Sequence, residues 1–223
     1  GGGVSSLYDQ LEDVQYFEDE LHAAVMAAED AGTYVMVHVY VPEAIRRAIR
    51  AGVKSIEHGQ LIDEPTMKLI AEKGVWLSMQ PFIGEGNNHN TNPVQQAKHE
   101  LVVQGTDRAY QLAKKYGVKL AWGTDLLFSP ANARNQNLNI EKMTRWFSNF
   151  EILKMITHDN AELLALSGRR NPYPGKLGVI EEGALADLIV VDGNALEDIK
   201  VLTDPGKNML LIMKDGKIYK NDL

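Results

Sequence analysis

The chain contains no cysteine among its 223 residues. That excludes disulfides, thiolate metal sites and a cysteine nucleophile, so any metal must be held by His, Asp, Glu or a modified side chain. An excess of positive charge is also missing. Lys and Arg number 23 against 30 Asp and Glu, giving a formal net charge of −7. A general nucleic-acid binder needs a basic face, so this balance argues against one and leaves a small-molecule enzyme open. No apolar run approaches the ~20 residues that span a bilayer, and no signal peptide is visible. The default expectation is therefore a cytoplasmic protein without membrane partners. There is no initiator methionine either: the chain opens on GGGVSS, which reads as a tag remnant or as the interior of a loop.

What is present is ordinary for a globular protein, with 44% hydrophobic and 24% charged residues. The length suits one large domain or a medium one with a small companion. Apolar residues at spacings of three and four predict a helix from Phe17 to about Ala31, with Gly32 as its stop. TYVMVHVY then reads as a buried strand. PEAIRRAIRAG is a helix with Pro42 in its first turn, VKSIEHG a strand, and DEPTMKLIAEKG a helix from Asp63 as cap to Gly74. The strand VWLSMQ, a polar loop, a helix over about Val94–Tyr116 and the strand VKLAW follow. Strand and helix thus alternate four times with short gaps, which implies parallel strands and right-handed crossovers. Further helices end near Ser167. Beyond Gly168, GKLGVIEEGALADLIVVD and MLLIMKDGKIYKN read as short strands joined by turns, with Asp215-Gly216 as a hairpin signal.

Each of the four strands ends on polar side chains: His38 and Tyr40, then Glu57-His58, then Gln80, then Asp125 after Gly123-Thr124. In parallel α/β proteins ligands bind at the carboxyl ends of strands. Residues at alternate strand positions share a face, so His38 and Tyr40 are expected to point the same way. Two imidazoles and a carboxylate suit zinc or a similar divalent ion. Singly, each has a plainer reading, as a hydrogen-bonded core histidine or a turn-forming aspartate. Together they occupy one topological position on three strands, which sets a metal site level with those plainer readings. His22 and His99 fall in helix patterns and are expected at the surface. His158 is expected at a helix start, with Thr157 or Asp159 capping. His89 lies in a polar loop that could cover the site, and reads first as a solvated loop residue. Gln80 is assigned no role, and Arg134 reads as a surface residue or a partner for a substrate carboxylate.

VHVY, SIEHG, WGTD and the closing GVIEEGALADLIVVDGNALEDI, in that order, resemble the amidohydrolase superfamily. The resemblance is greatest to its imidazolonepropionase-like and Xaa-Pro dipeptidase-like metal-dependent hydrolases. It implies a TIM-type (β/α)8 barrel with a small β-sandwich built from both termini. In that frame His38 matches the strand-five metal ligand and His58 the strand-six ligand. Asp125 matches the strand-eight aspartate that ligates metal and shuttles protons, and Tyr40 a tyrosine near the substrate. Two family features are missing: the His-x-His pair of strand one, and the strand-four lysine expected just before a segment like GGGVSS. The chain therefore reads as the C-terminal half of such an enzyme. Residues 1–168 would be the second half of the barrel and 169–223 the C-terminal β-sandwich portion.

The resemblance implies hydrolysis of an amide or peptide-type C–N bond in a dipeptide, acyl amino acid or cyclic amide, using one or two divalent ions, zinc first. A catalytically silent half-barrel is the rival reading, one that needs a complementary N-terminal half or self-association because four strands leave two open edges. An open doubly wound domain binding a ligand without metal is a third, and it leaves His38, His58 and Asp125 unexplained.

Overall fold

The computed structural model describes residues 1–84, 92–126 and 130–223. By its contacts the chain divides into two units. One comprises Gly1–Gly123 with Leu166–Arg170, the other Thr124–Ala165 with Asn171–Leu223.

The first unit alternates helix and strand as its periodicity predicts: α1 (Glu18–Asp30), β1 (Met36–Val39), α2 (Pro42–Arg50), β2 (Ser55–His58), α3 (Glu64–Lys73), β3 (Trp76–Met79), α4 (Pro93–Tyr116) and β4 (Leu120–Trp122). The strands form one parallel sheet in the order β1-β2-β3-β4. All four residues of β3 are buried, as expected for an inner strand covered on both faces. At the edge, β1 leaves Met36 half exposed. On α2, Ala44, Ile45, Ala48 and Ile49 form one buried stripe, while Arg47 and Arg50 occupy the last turn, where cations oppose the helix dipole.

Helix ends follow local chemistry. The Asp63 carboxylate accepts from the Thr66 N–H at 2.9 Å to start α3, and Gly74 ends it in the left-handed region at φ 63°. The last carbonyls of α1 have no cation in their own turn; instead the side chains of Arg169 and Arg170 donate to Asp30 O and Ala31 O at 3.0 and 3.1 Å. This is what brings residues 166–170 into the first unit. Against the turn between β2 and α3, α4 approaches closely at Gly105, where a Cβ would lie 2.3 Å from the Gln60 carbonyl oxygen.

The second unit carries the short helices α5 (Pro130–Ala133), α6 (Leu138–Lys142), α7 (Asn149–Lys154) and α8 (Asn160–Ala165). It also holds an antiparallel sheet of β5 (Leu188–Val191), β6 (Met209–Lys214) and β7 (Lys217–Asn221). The expected Asp215-Gly216 hairpin joins β6 to β7, with φ of 50° and 71°. GKLGVIEEG is less extended than expected. Apart from a single Lys176–Ala184 bridge it is turn-like, because Gly178 and Gly183 take positive φ. Among the described residues no helix is long and apolar enough to cross a membrane.

A half-barrel of parallel strands with a small antiparallel β portion is thus the architecture of the chain. Gly105→Ala is predicted to push α4 off the β2–α3 turn and to lower the unfolding free energy by about 1–3 kcal/mol, readable by urea denaturation.

Candidate active site

Three rings meet at the carboxyl ends of β1 and β2. The His38 and His58 centroids lie 4.5 Å apart, edge to face, and His38 meets Tyr40 in the same way at 5.2 Å. Tyr40 stacks on His58 at 4.8 Å with planes 21° apart. His58 and Tyr40 are buried, whereas His38 is exposed.

Strand alternation accounts for the His38–Tyr40 pair but not for His58. In the β1–β2 register His38 stands opposite Glu57 and Val39 opposite His58. Regular strands would therefore turn the two imidazoles to opposite faces. They meet because His58 has φ 79°, which rotates its side chain about the N–Cα bond to the face of His38. A non-glycine residue in this region is strained by on the order of 1–3 kcal/mol. Besides the hairpin residue Asp215, the described residues hold two such positions, His58 and Asp125. Asp125, at φ 52°, follows β4 and belongs to the second unit.

Hydrogen bonds select one nitrogen on each ring. His58 Nδ1 lies 2.7 Å from Gln80 Oε1, and the Gln60 amide reaches the same oxygen at 3.4 Å. An amide oxygen only accepts, so Nδ1 carries the proton and Nε2 the lone pair. His38 Nε2 lies 3.0 Å from the Gly2 carbonyl, so there the proton is on Nε2 and the lone pair on Nδ1. Burial is the main force holding the His58 pKa down to about 4. The neighbouring His38 lowers it too, and the Gln80 bond opposes the shift. Two adjacent imidazoles, His58 held neutral and each ring fixed by a hydrogen bond on one nitrogen, form a donor set suited to a divalent metal. Gln80, assigned no role from the sequence, orients one of them.

The remaining histidines depart in part from expectation. His22 is exposed, but His99 is buried and packs edge-on against Phe82. His158 does not start a helix: it sits in a π-helical turn, Met155–Asp159, between α7 and α8. With Asp159 and Glu162 it forms a group of ligand-type atoms within 4.8 Å of one another. Lys154 already pairs with Asp159, so an ammonium answers that charge. Arg134 is exposed. His89 lies outside the described residues, as do parts of both loops flanking α4 and β4.

A parallel half-barrel with imidazoles at its strand ends defines a class of metal-site scaffold, and comparison with known proteins specifies it. The amidohydrolase family profile matches residues 1–219, and the chain belongs to that family. Ochratoxinase of Aspergillus niger is 33% identical over 98% of this chain and 45% of its own length. A crystal structure of an amidohydrolase is 37% identical with a TM-score of 0.89, covering 100% of this chain and 53% of that one. A prolidase complexed with N-methylphosphonate-L-proline is 36% identical with a TM-score of 0.88, covering 99% and 53%. The chain spans about half the length of these relatives, which it matches as their C-terminal part.

The pKa of His58 sets an acid dependence for the metal-free protein. Folded, the ring protonates near pH 4; unfolded, near the ordinary histidine value of 6.5. Between these values the unfolded state binds more protons, so stability is lost as pH falls, by up to ~1.4 kcal/mol per pH unit and roughly 3 kcal/mol in all. His58→Gln is predicted to flatten the fall in urea-unfolding free energy between pH 6.5 and 4; an unchanged slope would contradict the buried neutral ring.

Proposed function

We propose that the full protein hydrolyses an amide or peptide-type C–N bond of a small substrate, a dipeptide, acyl amino acid or cyclic amide. The observation that carries this reading is the His38–His58 pair, whose hydrogen bonds present Nδ1 of one ring and Nε2 of the other as lone pairs. Family membership and the similarity to a prolidase and to ochratoxinase support it.

His38, His58 and Asp125 would hold a divalent ion, zinc first and one or two in number. Such an ion would supply Lewis acidity and lower the pKa of a water towards ~7. The chain's own residues do the rest. Gln80 keeps the His58 ring in its ligating tautomer and orientation. Asp125 accepts the proton of the attacking water and returns it to the leaving nitrogen. Tyr40, seated against both imidazoles, donates a hydrogen bond to the oxygen that gains charge or to a substrate carboxylate.

A second reading concerns partners. The chain covers about half of each relative, and the edge strands β1 and β4 each have one neighbour in their sheet. A 520 Å³ cavity runs along β1, lined by Leu21, Ala24, Val37, His38 and Ala44 among others. A complementary N-terminal half, or a second copy, would cover this apolar edge. The 223 residues alone would then be catalytically silent.

The test uses the full-length protein on a panel of Xaa-Pro dipeptides, N-acyl amino acids and cyclic amides. Asp125→Asn is expected to lower kcat by about 10²–10⁴ with the fold intact by circular dichroism. Full turnover in both Asp125→Asn and His58→Ala would overturn the proposal. Tyr40→Phe is expected to have a smaller effect, seen with the one substrate class whose oxygen it meets.

A further inference from the structure

One buried charged group outside the ring cluster takes part in none of this chemistry. Lys98, on α4, is 4% exposed. Its ammonium donates to three backbone carbonyls, Gly3 O at 2.8 Å, Ser6 O at 2.5 Å and Asp9 O at 2.9 Å. An ammonium has three N–H donors, so all are used, and by one short stretch of chain. That stretch is tied down further. The Ser6 hydroxyl accepts from the N–H groups of Tyr8 and Asp9, and the Gln95 amide donates to Ser5 O at 2.6 Å. Gly2 N donates to Asp13 O, and a Cβ on Gly2 would lie 1.8 Å from Gln10 O, so the chain folds back on itself where only glycine fits. The carbonyl exposed by this fold, Gly2 O, is the one that receives His38 Nε2.

We propose that Lys98 is a positioning residue: through the three-carbonyl clamp it fixes the 1–9 segment, and with it the Gly2 carbonyl that sets the tautomer and orientation of His38. The proposal rests on reading His38 as a ligand. The clamp acts at a distance from the ring, on the partner of the ring's Nε2, and so decides whether Nδ1 faces the site with its lone pair. Removing such an outer partner of a ligating histidine typically weakens metal binding 10–100-fold.

The test is made on the full-length protein, with zinc as the probe. Metal-free wild type is expected to show the His38 ring as the Nε2–H tautomer in ¹⁵N-edited NMR, the signal identified by its loss in His38→Gln. Lys98→Met is expected to mix the tautomers and to weaken zinc binding at least tenfold in chelator competition, with the circular dichroism spectrum retained. Lys98→Gln, shorter but still a donor, is read in the same way and replaces Met if that variant does not fold. Unchanged tautomer and zinc affinity in a folded variant would overturn the proposal, as would an Nδ1–H tautomer in wild type. Zinc binding unaffected by His38→Ala would instead overturn the ligand reading on which it rests.

Discussion

The bond from His58 Nδ1 to Gln80 Oε1 is the constraint on which the rest of the site depends. It joins the ends of β2 and β3, and it fixes which nitrogen of a buried neutral ring faces its neighbour. It also steadies a residue at a φ of 79°, without which the two imidazoles would lie on opposite faces of the sheet. The backbone strain and the hydrogen bond therefore do one job together: they convert two strand ends of mismatched register into a paired donor set. Asp125 has a similar backbone conformation in the second unit. That two of the three residues proposed here as ligands sit in this sparsely populated region is the pattern expected of functional positions.

The surrounding scaffold makes that local arrangement tolerable. The parallel sheet is covered by helices whose ends are specified by a side-chain cap on Asp63, left-handed glycines at 74 and 117, and two arginines on the end of α1. Tyr40 belongs at once to the ring cluster and to a buried apolar group with Leu11 and Val102. Movement of the N-terminal segment that carries Leu11 would thus be felt at both histidines, through packing on one and a carbonyl on the other. Packed interiors transmit such displacements because they contain little free volume.

Much of this was legible in the sequence. Alternation along VHVY placed His38 and Tyr40 on one side, and polar residues at successive strand ends marked one rim of the sheet. Helix periodicity with glycine stops located α1 to α4 within a few residues. What could not be read from pattern depends on backbone angles and long-range partners. No period predicts that His58 leaves the strand conformation, and Gln80 looked like any polar strand end. His99 reads as a surface residue of its helix, yet it and its neighbour Lys98 are buried, because burial depends on what covers α4. Of the helices after β4, the pattern gives only that they end near Ser167. They break into short α and 3-10 pieces with a π-helical turn at Met155–Asp159, and local composition does not signal that turn.

The central claim is that the His38–His58 pair binds metal. Its most direct test is the metal content of the purified full-length protein by elemental analysis, beside His38→Ala and His58→Ala. The account predicts one or two equivalents of zinc or a similar divalent ion per chain, reduced in both variants. No metal in any sample, or the same content in all three, would contradict it.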